Sequence, residues 1–134
     1  MDIETEVTLL MNSLVPGERF YFGTTPDDFD AHDEVFVIGQ FVGGDEGMYV
    51  DGTLRSGANN RLQLWIWGAR YMEVSALTRK IRKAFVELNA TWQGIFRAAW
   101  LNGSPTDDYN ETIKIHGKRM DISVVYADQD APLP

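Results

Sequence analysis

Residues 61–88 read RLQLWIWGARYMEVSALTRKIRKAFVEL, and the change of period inside them decides the fold. Over residues 61–67 the chain alternates strictly. Leu62, Leu64 and Ile66 point one way, and Gln63, Trp65 and Trp67 the other, which is the period of two of a β-strand. Both sets are substantially apolar or aromatic, so a central strand is predicted. Gly68 then turns the chain into a helix over 71–88, where Val74, Leu77, Ile81, Ala84, Phe85 and Leu88 form one core stripe. Arg79, Lys80, Arg82 and Lys83 crowd its outer face toward the C-terminal half, where cations complement the helix dipole.

Working back toward the N-terminus, residues 3–14 carry Ile3, Val7, Leu10 and Leu14 at 4-3-4 spacing, the stripe of an amphipathic helix. Asp2 is placed to cap it, Glu4 and Glu6 suit its dipole, and Pro16-Gly17 ends it. A short strand is expected over 19–22. Residues 24–33 (TTPDDFDAHD) read as a polar loop, and residues 34–42 (EVFVIGQFV) as a strand. Residues 43–60 contain five glycines and read as one long loop, mobile in the monomer and ordered on docking. Met48-Tyr49-Val50 is the one stretch within it able to pair briefly.

Toward the C-terminus, residues 91–101 read as strand, with Arg97-Ala98-Ala99-Trp100 equally able to be helical, 102–110 as loop, and 112–115 and 119–126 as two strands about a His116-Gly117-Lys118 turn. Met120, Ile122, Val124 and Tyr126 fall on one face of the last strand. Residues 127–134 are too polar and proline-bearing to pack and are expected to form a flexible tail. The order helix, strands, helix, strands predicts an α+β fold, a mostly antiparallel sheet with two main helices on one face. The expected organisation is a single domain over 1–126 followed by the tail.

At 134 residues one core fits and a second does not. The chain has no cysteine, which removes disulfides, thiolate zinc sites and thiol nucleophiles. Its N-terminus is acidic where a signal peptide would be basic, so a cytoplasmic setting is expected, and the Asn-x-Ser/Thr triplets at Asn89, Asn102 and Asn110 read as chance. The apolar runs are too short to predict a membrane span. Charge is divided unevenly. Residues 1–51 hold twelve acids and Arg19 as the one base, whereas residues 52–101 hold eight bases against Glu73 and Glu87. A net charge of −8 argues against general nucleic-acid binding. A bipolar layout suits head-to-tail self-association, in which the acidic side of one subunit meets the basic side of the next.

Catalytic signatures are scarce. The acidic run from Asp27 to Glu34 fails the calcium-loop template: counted from Asp28, the sixth position is Asp33 where glycine is required, and the twelfth is Gly39. It reads as a surface loop, with a metal-dependent hydrolase as a distant rival. His32 and His116 stand in no recognisable acid–base motif. Pro26-Asp27 has no matching acid-x-Lys element, and the glycines around Asp45-Glu46 lack the Lys-Ser/Thr of a phosphate loop. No enzyme, metal or cofactor is expected.

In residues 60–88, an Arg61-x-Gln63-x-x-x-Trp67 strand is followed by a Tyr71-x-Glu73 helix start and then by Ala76-Leu77. That order resembles the tail completion proteins of long-tailed bacteriophages, also called tail terminators or head-tail joining proteins. The glycine-rich approach to the strand, the closing strand from Arg119 to Val124, and the N-terminal helix with its short Arg19-Phe20-Tyr21 strand are similar too. The strand at Glu34 departs from the pattern in lacking a preceding proline. The resemblance implies a structural virion protein that assembles as a hexameric ring at the head-tail joint. Such a ring caps the tail tube, meets the head connector and lets DNA pass without sequence-specific binding. It would reside in the virion and, during assembly, in the host cytoplasm.

With the charge asymmetry, this places an expected interface on Arg79, Lys80, Arg82 and Lys83 and on the loop residues Asp45, Glu46, Met48, Tyr49 and Arg55. A second reading, from a different class, is a small-ligand or peptide-binding module using the Trp65/Trp67 face.

Overall fold

The structure, a computed structural model, describes residues 3–45, 57–90 and 96–127. It is an α+β fold in which α1 (Ile3–Leu14), β1 (Phe20–Phe22), β2 (Phe36–Asp45), β3 (Gly57–Gly68), α2 (Tyr71–Ala90), β4 (Phe96–Leu101), β5 (Thr106–Asn110) and β6 (Ile115–Ala127) follow one another. The six strands form one mixed sheet in the order β1-β2-β3-β6-β4, with β5 also paired to β6. Only β1 and β2 run parallel; the other pairs are antiparallel.

β3 is central, as its two apolar faces predict. It pairs with β2 through Val37↔Ile66 and Gly39↔Leu64, and with β6 through Leu62↔Ile122 and Leu64↔Met120. Residues directly opposite each other share a face, so Val37, Leu62, Leu64, Ile66, Met120 and Ile122 form a continuous apolar row. That row joins a single core with Ile3, Val7 and Met11 of α1 and Val74, Leu77, Ile81 and Phe85 of α2. In α1 the fully buried line runs through Met11, with Leu10 and Leu14 packed against it at its margin. Thr78 is buried on α2, and its hydroxyl donates to the Val74 carbonyl at 2.8 Å, which removes the cost of an unpaired polar group. Among the described residues no helix is long and apolar enough to cross a membrane.

Four expectations change. First, β2 runs on through Asp45 and β3 starts at Gly57, so residues 43–45 and 57–60 of the expected loop are paired strand ends. Residues 46–56, with Glu46, Met48, Tyr49 and Arg55, lie outside the described residues. So do Asp2, residues 91–95 and the tail 128–134.

Second, β6 is one strand, not two about a turn. The turn falls earlier, at 111–114, where Lys114 has φ 57° and the Asn110 side-chain oxygen accepts from the Thr112 and Ile113 amides. Gly117 is a packing glycine: a β-carbon there would lie 2.5 Å from Cε3 of Trp67, whose indole covers it. Third, His116 therefore lies on a strand, half-buried, with ring contacts to Tyr71 and Tyr109.

Fourth, part of the expected loop 102–110 is β5. β4 and β5 lie end to end along the same edge of β6, through Leu101↔Ile122 and Thr106↔Arg119. Asn102 fills the gap between them, its amide donating to the Asp121 carbonyl and its side-chain NH2 to Ser123 Oγ, both at 2.8 Å.

Candidate functional site

Among the residues of opposite parity to the core row, Ile38 on β2 and Gln63, Trp65 and Trp67 on β3 are half-buried. At one end of this second face is an open groove of about 520 Å³ whose floor is Phe36, Ile38, Trp67 and Ile115. One bank is the segment 24–34 and the other the turn 111–114. His32 ties the banks together, its Nε2 donating to the Ile113 carbonyl oxygen at 2.6 Å. A carbonyl can only accept, so the proton sits on Nε2.

Arg19 gives the first bank its shape. It is the one base among residues 1–51, and its side chain is only 13% exposed. Its guanidinium donates to the Asp30 carbonyl at 2.8 Å and the Glu34 carbonyl at 3.0 Å, pairs with Asp33 at 3.7 Å, and lies 4.2 Å from the Phe29 ring centre. Phe29 in turn meets Tyr21 and Phe36 edge-on. The acidic run is thus folded around an internal cation, and its carboxylates at Asp27, Asp28, Asp30, Asp33 and Glu34 remain exposed. Among the described residues no group of three or more His, Cys, Asp or Glu is placed to hold a metal.

The basic residues of α2 divide into two roles. Lys80 Nζ donates to the Leu14 carbonyl at 2.9 Å, closing the C-terminal end of α1 where a cation is favourable. It borders a second groove of about 640 Å³ that also touches Glu34, Glu73 and Leu77. Arg79 donates to Ser75 Oγ at 2.9 Å and Lys83 lies 3.9 Å from Glu87. Arg79, Arg82 and Lys83 remain exposed, with the apolar Met72 and Val86, 71% and 57% exposed, on the same helix. Of the other expected interface residues only Asp45 is described, at the end of β2 opposite Asn59.

One further polar cluster was not singled out by sequence. Lys118 Nζ meets Asp107 Oδ1 at 2.5 Å and lies 5.1 Å from the Tyr71 ring centre, while the Tyr71 hydroxyl donates to Asp107 at 3.3 Å. The hydrogen bond from Lys118 holds the Asp107 carboxyl below its usual range, and the bond to Asp107 raises the Lys118 ammonium. Both stay charged near neutrality, so the pair anchors the start of α2 to β5 and β6 and is not poised to move a proton. On the second face, Arg61 pairs with Asp121, whose hydrogen bond raises the guanidinium.

Sequence had marked Trp67 but not its neighbours, because Phe29 and Ile113 reach the groove from loops. The lone arginine in an acidic third of the chain was the available signal for the first bank. The chain was compared with protein-family models and with curated proteins, and it matches none of them.

Proposed function

We propose that this chain is a structural virion subunit, a ring-forming tail terminator that caps the phage tail tube and joins it to the head connector. In this reading both helices pack on one face of the sheet, and the other face, with Trp65 and Trp67, turns toward protein neighbours. The observation that carries the proposal is that second face. Two half-buried indoles of its central strand and an isoleucine of β2 lie on it, and Arg61 and Asp121 beside them form an ion pair. Aromatic surface of this kind is what protein interfaces use. The resemblance over 60–88 adds the specific assignment, and the hexamer, the virion location and the passage of DNA through the lumen come with it.

The test is tail length. Tails assembled without the protein should grow past their normal length, and adding the purified protein should restore a uniform length. Tails of normal length in its absence would refute the reading.

A second reading, a small-ligand or peptide-binding module, is favoured by the groove that Trp67 lines. Trp65 is not part of that lining, so the two indoles do not converge on that groove. A tryptophan-fluorescence change on titration with short apolar peptides would favour this module.

A further inference from the structure

The groove beside Trp67 has an apolar floor and one acidic bank. Asp30 lines it, on the exposed run that also carries Asp27 and Asp28, and the turn across from it carries Glu111 and Lys114. Ile113, 40% exposed, adds apolar surface at the rim. An occupant fitted to this site carries apolar side chains flanked by cations. The chain itself has such a surface: α2 exposes Met72 and Val86 together with Arg79, Arg82 and Lys83.

One molecule cannot bring the two together. The buried side of α2, Val74, Leu77, Ile81 and Phe85, packs with Leu62, Leu64 and Ile66, and its cations point away from that core. The groove uses Trp67 and Ile38, of the opposite parity on the same strands. The two surfaces are therefore back to back across the sheet, and a contact between them is head-to-tail, the kind that closes into a ring or runs on as a filament. We infer that the exposed face of α2 in one copy docks into the acid-banked groove of a second copy. This rests on the reading of the chain as a self-assembling subunit and supplies the contact that reading lacks.

The test uses the full chain and three variants. Arg82→Glu/Lys83→Glu reverses the helix, Asp28→Lys/Asp30→Lys reverses two residues of the acidic bank, and the third variant carries all four changes. Sedimentation at rising protein concentration reads self-association, and circular dichroism checks that each variant folds. Each reversal alone should weaken association about tenfold or more, and the quadruple variant should recover most of the loss, since like charges across a contact repel and opposite ones attract. The association of the unaltered chain should also weaken with added salt.

Reversals that weaken association without mutual rescue would overturn the pairing, as would a chain that stays monomeric at millimolar concentration. A helix variant that loses binding to DNA but keeps its self-association would overturn it as well. The ring reading fails separately, on tail length: uniform tails from the unaltered protein together with no rescue would sink only this contact.

Discussion

Replacing Gly117 with alanine tests how the second face is built. The new β-carbon would sit 2.5 and 2.6 Å from Cε3 and Cζ3 of Trp67 and 3.1 Å from Cδ2. Carbon atoms prefer separations of about 3.5–4.0 Å, so the indole must retreat by roughly 1 Å. Overpacking of this kind costs about 1–3 kcal/mol. Alanine recovers about 0.5–1 kcal/mol over glycine by restricting the unfolded chain. The net loss expected is about 0–2.5 kcal/mol, read as a lower urea midpoint at unchanged slope. In a Trp67→Leu background the bulk above Gly117 is gone, and the same Gly117→Ala change should be neutral or mildly stabilising. That difference is the coupling between the two positions. A Gly117→Ala protein more stable than the parent, or one whose change in stability is the same in the Trp67→Leu background, would refute the argument.

Arg19→Met removes a guanidinium that donates to two backbone carbonyls. It should cost about 2–4 kcal/mol and speed amide exchange across residues 27–34. Unchanged protection in that segment would contradict the clamp. Asp107 titrates lower in the folded state because Lys118 donates to it, so its contribution is present above about pH 4 and is lost as pH falls through the lower folded value. The ammonium of Lys118 is raised, so its contribution is present below about pH 10 and is lost as pH rises through the folded value. The stability gap between the parent and Asp107→Asn should therefore be widest near neutrality and narrow at both extremes; a gap constant with pH would show the pair to be inert. Millimolar calcium and a chelator should give thermal midpoints within about 1 °C of each other, because a ligand that binds only the folded state would raise it. A clear rise with calcium would point to a cation site on the acidic run.

The central strand and both helices were legible because their apolar residues follow a single period over many positions. α1 falls on Ile3–Leu14, as the spacing predicts, and α2 begins at Tyr71. β5 was illegible for a physical reason. Thr106–Asn110 (TDDYN) is almost wholly exposed, so no buried face imposes an alternation on it, and its pairing is dictated by β6. Gly117 misled for the opposite reason. Glycine next to His116 and Lys118 resembles a turn, but here its missing side chain makes room for an indole fifty residues away in sequence. Phe29 and Ile113 join the groove only through long-range folding, which no local window records. The division of labour between Lys80 and its neighbours was equally hidden, since all four cations look alike until α1 is in place.

The gap between β4 and β5 has a consequence for how strands of other chains can meet this sheet. Along that border β6 is paired with two short pieces of six and five residues, and the second bears the charges of Asp107 and Asp108. The opposite border is β1, three residues long. Among the described residues, neither β1 nor the β4–β5 border offers an incoming strand a long, uncharged ladder of free amides and carbonyls to extend. Borders this short, one of them charged, disfavour edge-to-edge pairing with the strands of another chain.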